Sequence, residues 1–169
     1  MTLILALLLS FNLGADISRV PLVTWSIAVN SLSLTHRLAR VDDLIDDGTY
    51  FVVEQDEKIA GCGGWSRRAT LYGGNQTPGR DAALLNPATD AARVRAMYTH
   101  PNFTRRGVGR LILSLCEAAA GAEGFKAVEL MATMSGEPLY RACGYEPVER
   151  VNDDRGGVDV PLLRMRKVI

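Results

Sequence analysis

An α+β domain built on a mixed sheet is the fold class that the sequence predicts, and three observations predict it. Extended segments at 50–54 and 58–66 flank a short polar turn, as in a β-hairpin. From residue 93 to residue 142, extended and helical patterns follow one another as strand, helix, strand, helix. A closing pair of extended segments, 145–150 and 158–165, then brackets the turn sequence NDDRGG. Early strands, a strand–helix–strand–helix core and two last strands describe an α+β or mixed α/β sheet. The 169 residues suit one domain, 1–169, which at that size buries roughly 70% of its unfolded surface.

Composition narrows the function. Nineteen basic and nineteen acidic residues cancel, so nothing draws the whole chain to nucleic acid or to an anionic membrane. Three scattered cysteines, Cys62, Cys116 and Cys143, read as buried thiols in a reducing, cytoplasmic setting rather than as a disulfide framework. With only His36 and His100 besides, no metal cluster is expected. The first 13 residues are almost wholly apolar, yet fewer than the ~20 a spanning helix needs. No Lys or Arg precedes them, and Leu13 and Ala15 make a poor cleavage pattern, so a buried first element is expected over a secretion signal. Residues 1–35 carry only Asp16 and Arg19 as charges, and so apolar a segment favours a homodimer.

The elements follow in order. Residues 36–46 form a short helix that Asp47-Gly48 ends. A strand at 50–54, a turn at 55–57 and a return strand at 58–66 make the hairpin. Residues 67–92, rich in Gly, Pro, Asn, Asp and Thr, form a long connection of the kind that often carries function. Residues 93–99 are the next strand. The helix after it has Val108, Leu111, Ile112, Leu115, Ala118 and Ala119 on one face and Gly124 at its stop. A strand at 126–132 and a short helix at 137–142, closed by Gly144, lead into the final pair.

The turn into the long helix, HPNFTRRGVGR, is the chemically loaded stretch. A helix N-terminus offers free backbone N–H groups and the positive end of the helix dipole. Gly107 and Gly109 remove side chains where a ligand would approach the backbone, and Arg105, Arg106 and Arg110 add positive charge. The combination fits a phosphate or pyrophosphate, and an ordinary strand-to-helix turn with solvated arginines is the alternative. It is not a Walker loop, because Arg110-Leu111 follows Gly109. Nor is it the dinucleotide fingerprint, which needs a small residue where Ile112 stands.

The wider order is a strand, His100-Pro101, Thr104-Arg105-Arg106-Gly107-Val108-Gly109, a helix, a strand, then Pro138-Leu139-Tyr140-Arg141-Ala142-Cys143-Gly144-Tyr145. From about residue 36 onward this resembles the GNAT superfamily of acyl-CoA-dependent N-acetyltransferases. The resemblance implies a strongly twisted mixed β-sheet flanked by helices, an Arg/Gln-x-x-Gly-x-Gly/Ala turn around the pyrophosphate of coenzyme A, and a Tyr-x-x-x-Gly-Phe segment with a tyrosine near the thioester sulfur. Thr104 departs from the usual Arg or Gln, with Arg105 or Arg106 available to compensate. Thr133 stands near a common Asn. Residues 1–34 do not look like the usual first strand and paired helices, which makes the N-terminal element atypical.

The same resemblance assigns roles. Backbone groups of Met97, Tyr98 and Thr99 would hold the pantetheine arm, the amides and side chains of Thr104, Arg105, Arg106, Gly107, Val108, Gly109 and Arg110 would take the phosphates, and Tyr140 would serve the departing thiolate. Met97's own side chain is expected in the core. A backbone N–H on the fourth strand would polarise the thioester carbonyl. Glu54, Glu129 and Tyr98 are the candidates for removing the acceptor's proton. Trp65, Arg67, Arg68 and Tyr72 would line the acceptor side, the two arginines suiting a carboxylate, and a loop packed on itself with solvated arginines is the alternative. His100 is expected as a turn residue and Cys143 as packing. The implied reaction is acetyl transfer from acetyl-CoA to a primary amine of a small molecule or peptide, with no metal. A non-catalytic acyl-CoA-binding module is the rival.

Overall fold

The structure, a computed structural model, describes residues 26–28, 42–72, 83–153 and 159–169. The apolar run 1–13, the first part (36–41) of the helix expected over 36–46, the middle of the long connection and most of NDDRGG lie outside them. The described elements are β1 (Ser26–Ala28), α1 (Asp42–Asp46), β2 (Tyr50–Gln55), β3 (Lys58–Ser66), β4 (Ala92–Thr99), a 3-10 turn (Pro101–Phe103), α2 (Val108–Ala122), β5 (Ala127–Thr133), α3 (Glu137–Ala142), β6 (Glu146–Asp153) and β7 (Val160–Val168).

They build one mixed sheet in the order β1-β2-β3-β4-β5-β7-β6. Every neighbouring pair is antiparallel except β4 and β5, which run parallel through the α2 crossover. The α+β mixed sheet expected from the sequence is therefore the fold found. One expectation about the N-terminus changes: Ser26–Ala28 is a strand, paired with Val52–Glu54 of β2.

The hairpin turn carries Asp56 and Glu57 at φ 52° and 58°. Two successive left-handed residues match the right-handed twist of the strands they join. The three α-helices among the described residues stop in one way. The amide two residues past each C-cap returns to a carbonyl in the last turn: Thr49 to Leu44 at 2.8 Å, Phe125 to Ala120 at 3.2 Å and Tyr145 to Tyr140 at 3.0 Å. Between cap and closing amide stand Gly48, Gly124 and Gly144, all at positive φ, as this closure requires.

The core lies between α2 and one sheet face. Trp65 and Phe125 meet edge to face in it, with centroids 5.9 Å apart. The buried stripe of α2 is Val108, Ile112, Cys116 and Ala120, with Leu113 beside it. This corrects the face read from the sequence. Ala118 is exposed, and Leu111, Leu115 and Ala119 are half-buried flanks. The i, i+4 row is centred on Cys116, which packs as a small apolar residue. No described helix is long and apolar enough to cross a membrane.

On β5, Val128, Leu130 and Ala132 enter the core, so Glu129 points to the other face. It is nevertheless only 2% exposed. One carboxylate oxygen accepts from Arg93 and, at 2.8 Å, from Nη2 of Arg164; the other accepts from Nη1 of Arg166 at 3.2 Å. Arg93 comes from β4 and the other two from β7, so one carboxylate ties three strands. Removing it would leave a cluster of cations unpaired. Glu129→Ala is expected to lower stability by about 3–5 kcal/mol, read by urea unfolding at neutral pH.

Candidate functional site

The sheet forks where β4 and β5 part. β4 stays paired with β3 out to Thr99, and β5 stays paired with β7 over its whole length. Between β4 and β5, however, only Ala92 with Val128 and Arg93 with Glu129 are in register. Beyond Arg93 the two strands separate around a cavity of about 320 Å³. Val94 to Tyr98 form one wall, and Leu130, Met131 and Thr133 the other; Leu71, Tyr72, Tyr140 and Leu162 complete the lining.

β4 is irregular along that wall. Cys62 pairs with Tyr98 and Gly64 with Arg95, so two steps on β3 face three on β4. The extra residue makes a β-bulge, and Ala96 within it has φ 52°. A left-handed non-glycine residue turns its peptide planes out of the regular ladder.

The 3-10 turn carries the chain from β4 to α2. His100 caps that turn, its Nδ1 accepting from the Asn102 amide at 3.2 Å, so it is the turn residue expected. Thr104 is also held locally, its hydroxyl donating to the Pro101 carbonyl at 3.0 Å. Arg105 (φ 62°) and Gly107 (φ 85°) bring the backbone round to the start of α2. Gly107 is the N-cap, with no side-chain cap on the helix amides. Arg105, Arg106 and Arg110 are exposed around it, Arg106 lying 5.4 Å over the Phe103 ring. This arrangement leaves the first α2 amides to an external acceptor.

The two glycines differ from what the sequence suggested. A Cβ on Gly107 would meet nothing within 4 Å, so its backbone angle is what calls for glycine. A Cβ on Gly109 would come within 2.8 Å of Leu139 Cδ2, so that glycine lets α3 approach α2. The approach matters because α3 carries Tyr140 to the cavity wall. Tyr140 packs edge to face on Tyr145, 6.0 Å away. Burial, with the thiols of Cys143 and Cys116 adding to it, pushes the Tyr140 phenol up to about 12.

The structure brings Met97, Tyr98, Tyr140 and Tyr72 to one cavity, with Thr99 at the end of the β4 wall and the 104–110 turn following on. Met97's side chain packs against the core, as expected. Cys143, half-buried, also packs there. Other expectations fail, each because a partner distant in sequence intervenes. Trp65 is a core residue at 2% exposure. Arg67 grips Glu123 at the end of α2 with two hydrogen bonds, 2.6 and 3.0 Å. Arg68 grips Asp47 in the same way, at 2.8 and 2.9 Å, and holds that carboxyl below the usual range. Neither arginine reaches the cavity lining. Glu129 has both oxygens engaged by arginines and cannot meet an incoming amine. Glu54, on β2, is not among the lining residues, whereas Tyr98 is, and is 58% exposed.

Sequence reasoning missed Arg95, Met131 and Leu162 in the lining. Strand alternation placed Arg95 beside Arg93, but nothing local announces where two strands stop pairing.

The profile described as "Acetyltransferase (GNAT) domain" matches residues 46–147. No curated protein sequence matches the chain. Among solved structures, Ard1 from Thermoplasma volcanium superposes with a TM-score of 0.62 at 14% identity, over 87% of this chain and 99% of that one. A Bacillus subtilis acetyltransferase in complex with CoA gives 0.56 at 9% identity, over 86% and 99%. A GCN5-related N-acetyltransferase from Rhodopseudomonas palustris gives 0.55 at 18%, over 75% of this chain and 66% of that one. With a profile match over more than half its length, on a forked mixed sheet of the same fold, this chain belongs to the GNAT acetyltransferase family.

Proposed function

We propose that the protein is an N-acetyltransferase that moves an acetyl group directly from acetyl-CoA to a primary amine of a small-molecule or peptide acceptor. The observation that carries this reading is the fork cavity with Tyr140 on its wall, bounded by the strand whose end turns into the uncapped start of α2. Acetyl-CoA supplies an activated thioester whose sulfur is a competent leaving group.

The residues present fit it. The β4 edge from Val94 to Thr99, no longer paired with β5, offers backbone groups to the pantetheine amides as a neighbouring strand would. The amides from Arg106 to Arg110 take the pyrophosphate at the positive end of α2, and the exposed Arg105, Arg106 and Arg110 add charge there. Thr104 spends its hydroxyl on Pro101, so these arginines supply what the usual Arg or Gln at that position would. The Tyr140 hydroxyl donates a hydrogen bond to the departing sulfur, and a backbone N–H of β4 polarises the carbonyl. Of the three candidates for the acceptor's proton, Glu129 is engaged and Glu54 is off the wall, which leaves Tyr98, a lining residue, to relay it. The free cysteines support a reducing cytoplasmic setting, residues 1–169 act as one domain, and the largely apolar N-terminal segment favours a homodimer.

Calorimetry with acetyl-CoA tests the binding half. Wild type is expected to bind in the micromolar range. Gly107→Asn, which tolerates left-handed backbone and carries no charge, should keep most of that affinity. Gly107→Glu should lose at least about tenfold, since it sets a carboxylate against the phosphates. Equal binding by all three would remove the turn from the site, and no binding by folded wild type would end the reading.

Tyr140→Phe tests the chemical half. It should lower kcat by about 100-fold in an amine-acceptor screen while leaving the KM for acetyl-CoA nearly unchanged. Binding without turnover in the wild type would favour an acyl-CoA-binding module instead. The neutral phenol is the donor, so its contribution is present at low pH and lost as pH rises through its folded pKa of about 12 rather than through the ordinary 10. An ultraviolet difference titration of wild type against Tyr140→Phe should therefore show no Tyr140 phenolate near pH 10.

A further inference from the structure

Tyr50 stands on β2, outside the cavity and two strands away from the fork. Its hydroxyl donates to the carbonyl oxygen of Ala96 at 3.3 Å. Ala96 is the left-handed residue of the β4 bulge. To reach it, the Tyr50 ring must cross β3. The residue opposite Tyr50 on β3 is Gly64, and a Cβ there would come within 2.8 Å of Tyr50 Cδ2. The missing side chain is the gap through which the ring passes.

The consequence for the cavity follows from peptide geometry. There is no cis peptide in the described chain, so the Ala96 carbonyl and the Met97 N–H point in opposite directions across one plane. Tyr50 lies on the β2 side of β4, and β5 lies on the other side. A carbonyl held toward Tyr50 therefore sets the Met97 N–H toward the fork. Burial keeps the Tyr50 phenol well above its ordinary range, with Cys62 and Tyr98 beside it adding to the effect, so it stays protonated and remains a donor.

We propose that Tyr50 is a positioning residue: through the Ala96 carbonyl it aims the Met97 amide into the fork as the donor to the thioester carbonyl. The proposal rests on the acetyl-CoA reading above and adds a residue that touches neither substrate. At 3.3 Å the bond is long for a hydroxyl donor, so its contribution to stability is small. An oxyanion donor works only if it already points where charge develops, and the bulge by itself leaves that peptide short of a ladder partner.

The sequence provides a clean probe. Among the five methionines, Met97 alone follows an alanine. Protein labelled with carbonyl-13C alanine and 15N methionine therefore gives one doubly labelled amide, that of the Ala96–Met97 bond. Acetyl-CoA is expected to move this amide proton downfield in wild type, and CoA without the acetyl group to move it far less. Tyr50→Phe removes only the hydroxyl; it should keep its calorimetric affinity for acetyl-CoA and lose at least half of the acetyl-dependent shift. Equal shifts in wild type and Tyr50→Phe, at equal affinity, would overturn the role of Tyr50 and leave the acetyl-CoA reading intact. Failure of wild type to bind acetyl-CoA would overturn the reading itself and the proposal with it.

Discussion

The parallel pairing of β4 with β5 lasts for two residues, and the site depends on where it stops. Its last register pair, Arg93 with Glu129, is also an ion pair. Arg164 and Arg166 from β7 hold the same carboxylate from the other side. A buried acid with three guanidiniums is a demanding arrangement, since the desolvation of so many charges offsets much of their attraction. Its value here is positional. It fixes the apex of the fork, so that the strands diverge from a defined point. Each further register of pairing would engage more of the β4 backbone with β5 and shorten the open edge.

From the apex outward, each part of the site answers a problem set by the fork. An unpaired strand edge exposes donors and acceptors that must find partners. β3 satisfies one side of β4, and the bulge at Ala96 redirects part of the other. The short crossover into α2 brings a helix start to the open end, while the stripe from Val108 to Ala120 fastens that helix to the core. The glycine at 109 then lets α3 lie close enough to place Tyr140 on the wall. Dipole, backbone edge and phenol thus converge without any one of them lying in a long loop.

What was legible in the sequence was what is local. The glycine stops at Gly48, Gly124 and Gly144 fell where the helices end, because a left-handed C′ residue is a local demand. The hairpin at 50–66 was likewise readable from two extended runs around a polar turn, and the α3 segment from its closing glycine. What was not legible was pairing at a distance. Arg67 and Arg68 read as solvated or acceptor-facing, yet their partners stand 56 and 21 residues away. Glu129 read as a possible base for the same reason, its arginines lying 35 to 37 residues away in two other strands. The cavity lining is the extreme case. It is defined by where hydrogen bonds between two strands cease, which no periodicity records.

The magnitude of the Tyr140 shift bears on how the proposed transfer would end. A simple thiol has a pKa of roughly 8.5. A phenol that burial holds at about 12 gives up its proton less readily than an ordinary phenol. Full protonation of the sulfur by Tyr140 is therefore the poorer route. A hydrogen bond from the neutral phenol costs no such transfer, and in a partly buried site it strengthens as charge gathers on the sulfur. The proton that the sulfur finally takes then comes from the attacking nitrogen, which must shed one as the new amide forms. On this account burial of the Tyr140 ring suits it to be a persistent donor rather than an acid, and the same logic covers Tyr50, whose phenol is also held neutral by burial. In the proposed reaction both tyrosines would act by keeping their protons.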